Sequence, residues 1–140
     1  MTIIESLRNY ISDLNALKLY NSIVNVNYLD DEEDSFSIEE LATEPIVKKY
    51  VDGRVMKQLD FTFCSREPYG VEVMQNLDNS SFYEDFANEI ENNNNNDVLP
   101  GLDSNYEAIS LTVTSSSYLA YAEDDKAMFS INLKLRYLVK

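Results

Sequence analysis

Acid–base or nucleophilic chemistry near neutral pH would have to run here without histidine, because the 140 residues contain none. The remaining candidates are a desolvated carboxylate, a shifted lysine or the single thiol, Cys64. A catalytic thiol needs a basic partner to lower its pKa, so Cys64 reads as a small apolar residue on a strand. Asp60 falls in mid-strand opposite a phenylalanine face, where a solvated polar face is the simpler account. Asp30, Asp31, Glu32, Glu33 and Asp34 form the densest set of oxygen ligands. A calcium loop starting at Asp30 would need glycine at its sixth position and glutamate at its twelfth, where Ser35 and Leu41 stand. The sequence contains no phosphate loop, dinucleotide fingerprint, nucleophile elbow or paired zinc ligands. The expectation is a protein that is not an enzyme and takes no cofactor or metal.

The elements that would carry any interaction centre on Ile46 to Arg66. This stretch reads as two strands joined by a two-residue type I′ turn at Asp52-Gly53. Beyond the turn Val55, Lys57, Leu59, Phe61 and Phe63 share one face and Met56, Gln58, Asp60, Thr62 and Cys64 the other, which predicts a sheet covered on one side and wet on the other. Before it, Ile3, Ile4, Leu7, Tyr10, Ile11 and Leu14 recur at helical spacing, with Thr2 and Glu5 as a capping box. Ile23 to Leu29 alternates as a first strand and Phe36 and Ile38 begin a second, while Pro45 suits the first residue of an edge strand. After Pro68 and Gly70, Asn79-Ser80-Ser81 signals a second helix with Phe82, Phe86 and Ile90 as its apolar stripe and Asn92 to Asn96 as a flexible end. Ile109, Leu111 and Val113 mark a further strand, Tyr118 to Lys126 a loop carrying Glu123, Asp124 and Asp125, and Phe129 to Tyr137 a last strand with the cleanest alternation in the chain. The fold class expected is α+β: one domain over 1–140, in the order α-β-β-β-β-α-β-β, with a mostly antiparallel sheet and two helices packed on one face.

Composition narrows the partners. Eleven Lys and Arg against 25 Asp and Glu give a net charge of −14, which repels a phosphate backbone and argues against a nucleic-acid binder. One cysteine forbids an internal disulfide, and the start of the chain has neither a basic leader nor an apolar core, so a product made and kept in the cytoplasm, away from membranes, is expected. Ten tyrosines exceed what the clean apolar faces need; Tyr50, Tyr69, Tyr106, Tyr118 and Tyr121 fall at turns or loops and point to protein contacts. An acidic DNA mimic would also be strongly negative, but its acids would be spaced like phosphates, whereas here they cluster in two loops.

The order and spacing of several pieces resemble a family of phage tail terminator proteins from long-tailed phages of Gram-positive hosts. The similar features are the short N-terminal helix, a strand giving way to an acidic loop, Tyr50-Val51-Asp52-Gly53, the strand Phe61-Thr62-Phe63, Ser65-Arg66-Glu67, Tyr69-Gly70, Asn76, Asn79, Phe82, Leu99-Pro100, Ala127 and the closing Leu133, Leu135 and Tyr137. The chain departs from the family in having no tryptophan on the second helix. The resemblance implies a virion protein, of a phage or a phage-derived tail-like particle, assembled in the host bacterial cytoplasm. It would form a homo-oligomeric ring, in such proteins a hexamer, on the head-proximal end of the tail tube, stop tube polymerisation and dock the head-completion proteins, with DNA passing unbound through the lumen. Ring contacts are expected at sheet edges and hairpin tips, with Asp52 and Gly53 as the tip and Tyr118 and Tyr121 beside the second acidic loop. The acids of 30–34 and 123–125 are expected to face the lumen or the next ring. A head–tail joining protein or minor capsid component of the same particle is the alternative.

Overall fold

Two strands of 14 residues, β4 (Val55–Pro68) and β7 (Lys126–Val139), form the centre of the molecule. They pair antiparallel along their whole length, from Val55 opposite Val139 to Pro68 opposite Lys126. The computed structural model describes residues 2–17, 24–29, 35–68, 73–122 and 126–140. Around the central pair lie α1 (Ile3–Ser12), a 3-10 turn (Asn15–Leu17), β1 (Val24–Val26), β2 (Ser35–Glu40), β3 (Ile46–Lys49), α2 (Val73–Asn95), β5 (Tyr106–Val113) and β6 (Tyr118–Ala122). The result is a seven-stranded sheet in which only β1 and β2 pair parallel, with both helices on one face, in agreement with the α+β class read from the sequence.

Each flank of the central pair is one long run broken in the middle. On the free side of β4, β2 pairs with Phe61–Arg66 and β3 with Val55–Lys57. Between them Leu41 N–H still donates to the Asp60 carbonyl and Gln58 N–H to that of Pro45. Pro45 immediately precedes the edge strand β3, as its missing N–H allows. On the free side of β7, β5 pairs with Leu133–Val139 and β6 with Ala127–Ser130, joined by Thr114 N–H donating to the Asn132 carbonyl. The molecule is therefore two long hairpins laid side by side, with β3 beside the Val55–Val139 end of the central pair and β6 beside the opposite end, where Ala122 faces Ala127.

The helices cover one diagonal of this rectangle. Thr2 Oγ1 accepts the Glu5 N–H at 3.2 Å, closing the N-terminal cap of α1, and Leu7 and Ile11 are then buried beside β1. Arg8 ties the helix down by donating to the Val24 carbonyl at 3.0 Å. On α2, Phe82, Tyr83, Phe86 and Ile90 are buried against Phe36, Phe63, Leu111, Ile131 and Leu133. Phe86 stacks on Phe63 with ring centroids 4.5 Å apart, and Phe82 and Phe36 complete the aromatic cluster. Tyr83 donates to the Phe129 carbonyl at 3.0 Å and is hydrogen-bonded to Ser65. Fully buried, its phenol is pushed well above the usual range by loss of solvent.

Several local expectations are corrected. The second helix does not start at a Ser81 cap but at Val73, and it continues through the asparagine run to Asn95. Those asparagines have tertiary partners that outweigh their poor helix propensity. Asn93 donates to Tyr10 Oη at 3.1 Å, Tyr10 to the Val98 carbonyl at 2.8 Å, and Asn94 Oδ1 accepts the outward N–H of Leu111 on β5 at 3.0 Å. Tyr118–Ala122, read as loop, is a strand, because it pairs with β7 across a bulge that alternation alone does not reveal. Ile109 is turned out of the core by the bulge between Ala108 and Ser110. The first strand is shorter than the alternation from Ile23 to Leu29 suggests, and Tyr28 lies beyond it, exposed. The face opposite the helices is not uniformly wet either: Ser37, Thr62, Cys64 and Ser130 on it are all buried.

Candidate functional site

The β3–β4 tip is built from Tyr50 to Arg54. Gly53 N–H donates to the Tyr50 carbonyl at 3.1 Å and Tyr50 N–H to the Arg54 carbonyl at 2.9 Å, with Gly53 at φ +93°. This is a three-residue loop, a turn closed by a left-handed glycine, and not the two-residue type I′ turn expected, which would put Asp52 at positive φ as well. Asp52 accepts the Arg54 N–H at 3.1 Å and the Arg54 guanidinium at 2.8 Å. These bonds, led by the backbone one, hold its carboxyl below the usual carboxylate range. Lys48 Nζ and the Arg54 guanidinium both lie over the Tyr50 ring, at 5.1 and 5.5 Å. Asp52 is thus the internal brace of the tip, while Val51 beside it stands fully exposed.

Beside this tip, all four residues of β3 are exposed, including Ile46 and Val47. Diagonally across the sheet, all five residues of β6 are exposed, with Tyr118, Leu119 and Tyr121 as large apolar side chains. Tyr118 Oη reaches Asn132 at 3.3 Å, the same Asn132 that accepts from Thr62 at 3.0 Å. Of the residues expected to mark an interface, Asp52 and Gly53 therefore sit on the β3–β4 tip and Tyr118 and Tyr121 on β6. Asp30, Asp31, Glu32, Glu33, Asp34, Glu123, Asp124 and Asp125 lie outside the described residues, as does Tyr69. Tyr106 belongs to β5, where its ring meets Tyr137 edge-on. Pro45 marked the strand that follows it as an edge in the sequence, and Lys48 and Lys49 on β3 suit that position.

Cys64 and Asp60 are the side chains that the sequence offered for nucleophilic or acid–base chemistry. Cys64 is wholly buried, and its pKa is pushed up to about 12, mainly by loss of solvent. The Glu39 carboxylate that accepts its S–H at 3.2 Å pushes the same way, against the opposing donation from Ser130. Asp60 faces Lys134 at 3.8 Å on the partly exposed outer face. Among the described residues no group of three or more His, Cys, Asp or Glu could hold a metal ion, and no helix is long and apolar enough to cross a membrane. A cleft of about 260 Å³ between α2 and β5 is lined by Glu91, Asn94, Asn95, Leu111, Thr112 and Val113. It lies below the roughly 300 Å³ at which small-molecule sites begin.

The fold is thus an α+β sheet protein in which, among the described residues, the outer edges of β3 and β6 have no strand partner. No protein-family model matches the chain, and no curated protein matches it either.

Proposed function

We propose that the protein is a non-enzymatic ring component of a phage tail or tail-like particle, acting as the tail terminator. It caps the head-proximal end of the tube, halts tube growth and presents a docking face to head-completion proteins. The observation that carries this reading is the diagonal exposure of β3 and β6: among the described residues nothing pairs with their outer edges, at two opposite corners of one sheet, which suits a subunit with a neighbour on each side. The family resemblance supplies the particle. The hairpin Tyr50-Val51-Asp52-Gly53 and the strand Phe61-Thr62-Phe63 that carry it form the first arm and the core of the sheet.

Negative-stain images of particles made without the protein test the reading. Overlong or headless tails are expected. Tails of normal length that fail only at head attachment would support a head–tail joining role instead, and unaffected particles would end both.

A further inference from the structure

We propose that the Asp52–Gly53 bond is a site of spontaneous isoaspartate formation, and that Arg54 is the guard that holds the reaction in check while the hairpin is folded. The proposal is independent of the ring reading and needs no partner.

The chain has three glycines, and only Gly53 follows an acid; Gly70 follows Tyr69 and Gly101 follows Pro100. Glycine matters because the reaction begins with the backbone nitrogen of the next residue attacking the side-chain carboxyl carbon, and a Cβ on that residue stands in the way. Asp52 is half exposed, and the space a Cβ at Gly53 would enter is empty, with nothing within 4 Å. Restraint on this pair therefore comes from the turn itself.

The chemistry is an intramolecular condensation followed by hydrolysis. Gly53 N shares its lone pair with its own peptide bond, so it must lose its proton before it can bond to Asp52 Cγ. As that C–N bond forms, a Cγ–O bond breaks; the departing hydroxyl and the amide proton together make one water. The neutral acid permits this, whereas the carboxylate has no comparable leaving group. Water then opens the five-membered ring. Cleavage of the new bond restores aspartate. Cleavage of the original peptide bond leaves the chain running through Cγ, one backbone carbon longer, with a free carboxylate on Cα.

The fold restrains both reacting groups. Gly53 N–H donates to the Tyr50 carbonyl at 3.1 Å, which engages the proton that has to leave. Asp52 Oδ1 accepts the Arg54 N–H at 3.1 Å and Oδ2 the guanidinium Nε–H at 2.8 Å, so both carboxyl oxygens are held by the residue beyond Gly53. Those bonds, the backbone one first, keep the carboxyl below the usual range and make its neutral, reactive form scarce. The guanidinium is in turn placed over the Tyr50 ring, 5.5 Å from its centroid. An isoaspartyl link would undo this arrangement. The extra carbon lengthens the loop that the Tyr50 N–H bond to the Arg54 carbonyl closes at 2.9 Å, and it takes the carboxylate out of its place beside Arg54.

The test is prolonged incubation of the purified full chain at neutral pH, folded and in urea. Isoaspartate at position 52 is read by peptide mapping, as resistance of the Val51–Asp52 bond to a protease that cuts before aspartate. It should accumulate slowly in the native fold and severalfold faster in Arg54→Gln, while in urea the two chains should react equally fast. On acidification the folded Arg54→Gln chain should accelerate at a higher pH than the native chain, because its carboxyl becomes neutral sooner. Lys48→Gln removes the other cation over Tyr50 and leaves both Asp52 bonds in place, so it should react at the native rate. Equal rates for the native fold and Arg54→Gln would overturn the guard. So would an equal acceleration in Lys48→Gln, the mark of a generally loosened tip, or a native fold that reacts as fast as the chain in urea. Absence of isoaspartate at position 52 even in urea would overturn the site itself.

Discussion

At the scale of single residues, part of the fold's stability depends on buried groups that must stay neutral. Cys64 ionises at 9.0 without its surroundings and at about 12 within them, so above pH 9 the unfolded chain loses this proton first. The stability tied to the neutral thiol is complete below pH 9 and falls progressively as pH rises to 12, by roughly 4 kcal/mol over three units. Tyr83 acts in the same direction. Urea titrations between pH 8 and 11 should give a flatter decline for Cys64→Ser than for the native chain. Identical slopes would show that the thiol is not held neutral by the fold. Gly53 presents the opposite situation, with open space around it and a positive φ: an added Cβ would meet nothing within 4 Å. Gly53→Ala should therefore cost about 1 kcal/mol through backbone strain alone, a lower midpoint with an unchanged m-value in the same titration.

At the scale of elements, α2 does two separable jobs. Its Phe86 fills the core against Phe63, so Phe86→Ala should cost about 3–5 kcal/mol. Its Asn94 satisfies an outward strand N–H instead, and Asn94→Ala should cost about 1 kcal/mol while freeing the β5 edge. Thermal unfolding together with sedimentation distinguishes the two, since only the Asn94 variant should gain a new self-association; its absence would mean that the helix body, not the amide, shields β5. The same helix shows where sequence reading succeeds and where it stops. Phe82, Phe86 and Ile90 announce the buried stripe because a period near four is a property of one helix. The Asn93 and Asn94 contacts are invisible to it, since their partners Tyr10 and Leu111 lie on other elements. Likewise the alternation of Phe61, Phe63, Ile131, Leu133 and Leu135 declares the covered face of β4 and β7. The bulges that turn Ile109 outward and keep Tyr118–Ala122 paired leave no mark in composition. Of the candidate surface, the Asp52-Gly53 tip was legible from its turn residues; the exposure of β3 and β6 at diagonal corners depended on where the helices lie.

For the whole molecule, the distribution of burial sets an order of opening. Phe61–Ser65 and Ile131–Leu135 lie under both helices, whereas β3 and β6 are exposed throughout and, among the described residues, hold to the sheet by one ladder each. Local opening should follow that difference, because exchange protection tracks the apolar contacts that must be broken to expose an amide. In dilute solution, amides at the centre of β4 and β7 should exchange slowest, at rates set by global unfolding. Those of β3 and β6 should exchange orders of magnitude faster, and both should slow together when the concentration is raised into the range of assembly. Protection of β3 without β6 would mean that the two edges meet different partners. If both arms were as protected as the central pair in the monomer, each would already be part of the cooperative core. The sheet would then have no spare edges to extend, and its two bare corners could not be the means by which one copy holds the next.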